Sequence, residues 1–306
     1  MFQHEAFFYA NADELLVGIL PFLRAGLDAD EAMLVAMPRS SLRVLRGELN
    51  GEGDRIQFVD MEELGRNPAR IISVWHDFVD PHLANGRGVR GVGEPIWAGR
   101  SAPELEECER HEALLNLAFA DAPAWSLLCP YNTSELNERV LRSAEHNHPW
   151  LCGAGSPRES DAYVGPPPHG PFAGELAAPS GVTAGLSFEG GQLAKLRTMV
   201  AEHARDAGLD AARVEGLVLA ASEVATNSLL HGGGSGTITL WRDARHIGCD
   251  IRDRGCFEQP LVGRRRPSLG RSGGRGVWLA NQLCDLVQIR STPSGNVVRL
   301  QLSLSV

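Results

Sequence analysis

Lysine is almost missing from this sequence: its 29 basic residues are 28 arginines and Lys195. The first half has no lysine at all, which excludes a Walker-A phosphate loop there. Cysteine is sparse. Cys108, Cys129, Cys152, Cys249, Cys256 and Cys284 form no C-x-x-C pair, so neither a zinc ribbon nor a disulfide framework is expected. They read as reduced thiols of a cytosolic protein. The longest apolar run, residues 15–23, is interrupted by Pro21 and falls short of the ~20 residues that span a bilayer. No basic residue precedes Arg24, which argues against a secretory or mitochondrial leader. Bulk positive charge is also lacking. The net charge is −9, so nothing points to nucleic acid. The expectation is a cytoplasmic protein that contacts neither membrane nor nucleic acid directly.

What is present suggests two domains. The chain has 306 residues, 43% of them hydrophobic, enough for at least one sizeable core. Residues 1–158 carry 14 basic and 24 acidic side chains, whereas 159–306 carry 15 and 14. Between them Pro157, Pro166, Pro167, Pro168, Pro171 and Pro179 interrupt any hydrophobic period. Residues 155–181 therefore read as an extended Pro/Gly-rich linker between domains over 1–154 and 182–306.

Before the linker, short apolar runs at 6–9, 32–37, 56–59, 89–92 and 125–129 alternate with helical patterns such as Leu15, Leu16, Ile19, Leu20 and Leu23. That order implies an α/β domain: a largely parallel sheet with helices on both faces. After the linker a strand near 182–188 precedes two helices, near 191–207 and 210–231. Strands at 237–241 and 247–253 follow, then a long polar loop, a helix near 276–285 and a closing pair near 286–291 and 297–304. This is α+β, with helices on one face of a mixed sheet.

Three pieces of the second half carry chemistry. Glu223, Asn227 and His231 recur at helical spacing beside an apolar stripe of Val214, Leu217, Val218, Ala221, Val224 and Ala225. One helical edge thus presents a carboxylate, an amide oxygen and an imidazole. A carboxylate can deprotonate a hydroxyl, and an amide oxygen suits Mg²⁺. Asp253 continues the alternation of Ile247, Cys249 and Ile251 just before Gly255, where an acid either caps a turn or faces a buried ligand. Finally Arg264, Arg265, Arg266 and Arg271 precede Ser272-Gly273-Gly274-Arg275-Gly276 at a helix start. Glycine-rich backbone there offers N–H groups to anions, and the arginines can supply mobile positive charge. Taken singly, each piece is better read as a solvated helix edge, a turn or a flexible loop with a cap.

In this order the three pieces resemble the ATP site of the GHKL superfamily, and most closely the anti-sigma-factor serine/threonine kinases. Residues 222–231 are similar to that family's N box, 253–255 to its first glycine box and 273–276 to its second. The resemblance implies a Bergerat-type fold over 182–306. It also implies that Asn227 holds Mg²⁺, that Asp253 and Gly255 receive adenine, and that His231 belongs to the nucleotide site. Gly273, Gly274, Arg275, Gly276 and Val277 would close over the phosphates, and Glu223 would activate a protein hydroxyl. Phosphoryl transfer asks an enzyme mainly for positioning and charge neutralisation, which such a set can supply. Two positions depart from the pattern. Cys256-Phe257 lacks the second glycine of the first box, and Val297 replaces a threonine that often supports adenine.

The first half resembles the MEDS sensory domains through residues 4–9, 20–27, 91–97, 128–131 and His148-Pro149. The resemblance implies sensing, with a small organic ligand as partner. His4, Tyr9, Cys129 and Tyr131 are pocket candidates, although core packing is the better explanation of each. His146, His148 and Cys152 match no metal-ligand spacing. The combined expectation is a sensor-modulated, ATP- and Mg²⁺-dependent serine/threonine kinase. Its implied partners are a STAS-domain antagonist, a sigma factor and a second copy of itself. A non-catalytic GHKL module that sequesters a partner is one alternative. A histidine kinase is the other, although the linker offers no phosphoacceptor helix before the ATP domain.

Overall fold

Ala-Met-Leu-Val-Ala-Met at 32–37 is buried at every position, as a strand covered on both faces must be. Around it the computed structural model describes residues 2–153, 157–165, 172–267 and 274–304. The chain forms two compact units, residues 1–168 and 169–306.

The first unit runs β1 (Phe2–Tyr9), α1 (Ala12–Asp28), β2 (Ala32–Met37), α2 (Arg39–Leu49), β3 (Ile56–Asp60) and α3 (Met61–Leu64). It continues through α4 (Ile71–Ala84), β4 (Val89–Gly93), α5 (Ala102–Ala118), β5 (Trp125–Asn132), α6 (Glu138–Asn147), β6 (Trp150–Cys152) and β7 (Arg158–Glu159). The sheet order is β3-β2-β4-β5-β1-β6-β7, parallel except for the β6–β7 pair. Helices cover both faces, as the alternation predicts. Phe7 points to α1, where Gly18 makes room, since a Cβ there would overlap the Phe7 ring. On the opposite face Gly91 of β4 admits the Trp75 ring of α4, which lies 2.7 Å from where a Cβ would stand. A glycine inside a helix costs up to ~1 kcal/mol, and at position 18 close packing offsets it. Helix starts follow local rules. Asn11 accepts from the Glu14 N–H at 3.0 Å, and Ser101 pairs with Glu104 in a capping box.

The second unit runs β8 (Val182–Glu189), α7 (Leu193–Asp206), α8 (Ala211–His231), β9 (Ser235–Arg242), β10 (His246–Asp253), α9 (Arg275–Leu283), β11 (Leu286–Thr292) and β12 (Gly295–Ser303). Its core joins Leu196 and Val200 of α7, Leu217 and Val224 of α8, and Val277 and Ala280 of α9. These pack with Ile247, Cys249 and Ile251 of β10 and with Val298 and Leu300 of β12.

The sheet order is β11-β12-β10-β9-β8, and every pairing in it is antiparallel, which narrows the expected mixed sheet to an antiparallel one. The cause lies in the connections. Two helices between β8 and β9 return the chain to the end where β8 stopped. The single helix between β10 and β11 leaves those two strands parallel, and β12 lies between them.

Residues 155–181 are not uniformly a linker. Arg158–Glu159 pairs with β6 in the first sheet. In the second unit Phe172 is buried in the core, and its carbonyl accepts from the Ser291 N–H at 2.8 Å. An isolated phenylalanine among prolines carries no periodicity, so its burial is invisible in the sequence. Among the described residues no helix is long and apolar enough to cross a membrane.

Candidate functional site

The second unit gathers the three sequence pieces at one end of its sheet. Asp210 caps α8, accepting from the Arg213 N–H at 2.9 Å, and the buried stripe of α8 fixes its rotation. Glu223 and Asn227 are thereby left half-buried on its margin. Neither has a hydrogen-bond or ion-pair partner among the described residues. Facing them is Gly276 of α9. A Cβ at that position would lie 2.9 Å from Glu223 Oε2 and 3.0 Å from Asn227 Nδ2. Only glycine lets this helix start approach so closely. Gly274 precedes it with φ +79°, and no atom lies near its missing Cβ.

Asp253 ends β10, and three donors hold its carboxylate. Ser228 Oγ donates to Oδ2 at 2.6 Å, and the Gly255 N–H and Asn296 Nδ2 donate to Oδ1 at 2.8 and 3.2 Å. Gly232 is buried against it, since a Cβ there would overlap the Asp253 carboxylate. A cavity of about 220 Å³ opens beside Asp253, lined also by Arg252, Asn296, Val297 and residues 174–176.

Other expected site residues fall less centrally. His231 is exposed at the end of α8, and Gly255 packs against its carbonyl. Arg275 is exposed, whereas the Val277 side chain is buried in the core, leaving only its backbone to face a ligand. Arg264 is buried too, so it is not the mobile charge the sequence suggested. Arg271, Ser272 and Gly273 lie outside the described residues. The sequence missed Ser228 and Asn296. Val297 pairs with Arg252, so its side chain is on the other face of the sheet from Asp253. Asn296 stands directly opposite Asp253 and supplies a hydrogen bond there. Its polar side chain in phase with Val298 and Leu300 was the available signal.

The first unit holds a cavity of about 420 Å³ between β1 and α1, lined by Glu5, Phe7, Val17, Phe22, Leu128 and Cys152 among others. None of His4, Tyr9, Cys129 and Tyr131 lines it. Tyr9 donates to Glu94 Oε1 at 2.6 Å, and burial pushes the Glu94 carboxyl up to about 7. His4 and Cys129 instead meet His148 on the other face of the sheet.

Residues 3–149 match the family described as MEDS, the methanogen/methylotroph DcmR sensory domain. Residues 186–302 match the histidine kinase-like ATPase domain. The chain joins a MEDS domain to a histidine kinase-like ATPase domain. No curated protein matches it. Among solved structures it is similar to the RsbU and RsbW domains of a Mycobacterium tuberculosis protein. That match has 18% identity and a TM-score of 0.31, and it covers 40% of this chain and 33% of the other. The assignment rests on the two domain matches alone.

Nucleotide use follows from the ATPase domain, and the residues present fit it. A carboxylate and an amide without a partner among the described residues face a helix start opened by glycine, and an anchored aspartate sits at the end of the neighbouring strand. That donor set suits a hard cation and a phosphate group.

Proposed function

We propose that the chain is an ATP- and Mg²⁺-dependent serine/threonine protein kinase of the anti-sigma type, with a sensor over 1–154 joined through 155–181 to a kinase domain over 182–306. The observation that carries this reading is the pairing of Glu223 and Asn227 with the close approach of Gly276. In this reading Asn227 Oδ1 holds Mg²⁺, and Asp253 accepts from the adenine amino group. His231 and Gly255 border the base. The backbone N–H groups of 274–277 bind phosphate oxygens at the start of α9. Bound Mg·ATP supplies the phosphoryl group and the neutralising charge. Glu223 takes the proton from the attacking hydroxyl, and the rest of the site positions the two reactants.

The protein substrate is a STAS-domain antagonist, and a sigma factor competes with it for the kinase domain of a cytoplasmic homodimer. A small molecule bound by the MEDS domain shifts that competition by favouring one state over another. The test is calorimetric titration of Mg·ATP into the full chain. Binding that weakens in Asn227→Ala supports the site, and antagonist phosphorylation that disappears in Glu223→Ala supports the chemistry. Absence of binding at millimolar Mg·ATP overturns the kinase reading in favour of a partner-sequestering module.

A further inference from the structure

Four metal-ligating side chains from four separate elements converge inside the MEDS domain. His4 comes from β1, Glu112 from α5, Cys129 from β5, and His148 from the residue that closes α6. All four are at most 1% exposed. One donor atom from each lies within 4.8 Å of all the others. His4 Nε2 is 3.4 Å from Cys129 Sγ and 3.2 Å from Glu112 Oε2, and His148 Nε2 is 3.4 Å from the same oxygen. A tetrahedral ion with metal–ligand bonds of about 2.0–2.3 Å holds its donors roughly 3.3–3.8 Å apart.

The outer shell selects the lone pairs. His4 Nδ1 lies 3.1 Å from Asn116 Oδ1, and the Asn116 amide is oriented by donating from Nδ2 to the Asn147 carbonyl at 2.7 Å. His148 Nδ1 lies 2.8 Å from the Ala144 carbonyl. Both acceptors require Nδ1 to carry the hydrogen, which leaves Nε2 of each ring as a lone-pair donor. A second ring nitrogen tied to carbonyl oxygen is how ligating histidines are usually oriented.

The inner atoms cannot satisfy one another. His4 Nε2 and His148 Nε2 lie at ion-pair distance from Glu112, but with both rings neutral and hydrogen on Nδ1 neither oxygen of Glu112 receives a hydrogen bond and His148 Nε2 makes none. The Cys129 thiol has a single hydrogen to give, and His4 Nε2 takes it at 3.4 Å. A buried carboxylate and neutral imidazole facing each other without a donor are costly, and either a proton or a metal ion between them removes that cost; a metal ion alone engages all four donors at once.

We propose that His4, Glu112, Cys129 and His148 form a binding site for a divalent transition-metal ion of the Zn²⁺ class within the MEDS domain. One sulfur, two imidazole nitrogens and one carboxylate oxygen suit a borderline-soft tetrahedral ion and not Mg²⁺ or Ca²⁺. On binding, Cys129 releases its proton to solvent and ligates as thiolate.

Because the site is closed, the ion must be offered while the chain folds. The full chain is produced in minimal medium supplemented with Co²⁺, purified under reducing conditions without nucleotide, and examined by native mass spectrometry and absorption spectroscopy. The expected result is one Co²⁺ per chain, with tetrahedral d–d bands and a thiolate-to-cobalt charge-transfer band. Cys129→Ser should abolish the charge-transfer band, while Cys152→Ser should leave the spectrum unchanged. His148→Gln should lower cobalt occupancy and provides a second test if Cys129→Ser fails to fold. A metal-free chain, an octahedral spectrum without charge transfer, or a band that survives Cys129→Ser in folded protein overturns the proposal.

Discussion

Replacing Asp253 by asparagine separates the architecture of the ATPase domain from its chemistry. The aspartate receives hydrogen bonds from Ser228 Oγ, the Gly255 N–H and Asn296 Nδ2. An asparagine can keep its Oδ1 toward Gly255 and Asn296 and turn its Nδ2 toward Ser228. Ser228 then becomes the acceptor, and its own hydrogen goes to the Val224 carbonyl, already within 3.2 Å. All neighbours stay satisfied, so the stability cost should be about 1 kcal/mol, the size of one neutral hydrogen bond. Nucleotide binding should suffer more, because the charged acceptor is gone. Hydrogen bonds to charged groups contribute about 1.5–3 kcal/mol, so Mg·ATP affinity should fall roughly 10- to 150-fold. Calorimetry on both proteins, with urea unfolding as the fold control, measures both quantities. Equal affinity in a folded Asp253→Asn variant would refute the reasoning.

Two further predictions concern stability. Burial raises Glu94 from 4.5 to about 7. Between those values the folded chain keeps a proton that the unfolded chain releases, so stability falls as pH rises, by roughly 3 kcal/mol in all. Glu94→Gln should remove that slope and be the more stable protein at pH 8; urea midpoints at pH 5 and pH 8 that shift equally in both proteins would contradict this. Asp250 is buried and accepts from Trp241 Nε1 at 3.1 Å and from Arg299 Nε and Nη2 at 2.8 Å each. Asp250→Ala leaves that guanidinium only the Ala177 carbonyl at 2.8 Å and no counter-charge there, and should cost about 3 kcal/mol in urea unfolding; a loss below about 1 kcal/mol would show the pair to be dispensable.

The first five strands and α1 of the first unit, and the elements of the second, were legible because their periodicities are strong. Ile247, Cys249 and Ile251 alternate into Asp253, and the α8 stripe leaves Glu223 and Asn227 on a margin. Other features depended on contacts distant in sequence. Glu112 sits in Glu106-Glu107-Cys108-Glu109-Arg110-His111-Glu112, which reads as a solvated acidic helix, yet it is 1% exposed beneath the sheet. Its partners His4 and His148 lie at opposite ends of the domain's sequence, so no local spacing joins them. The fully antiparallel pairing of the second sheet was not legible either. It depends on the strand order, with β12 entering between β10 and β11, which the strands' own residues do not show.

The central claim is that nucleotide binds where α8, β10 and α9 meet. Hydrogen–deuterium exchange of the full chain with and without Mg·ATP tests it directly. The account predicts slower exchange at 227–232, 253–256 and 274–278, and no change in the strands of the MEDS domain. Exchange that is unaltered at those three segments under saturating Mg·ATP would contradict it.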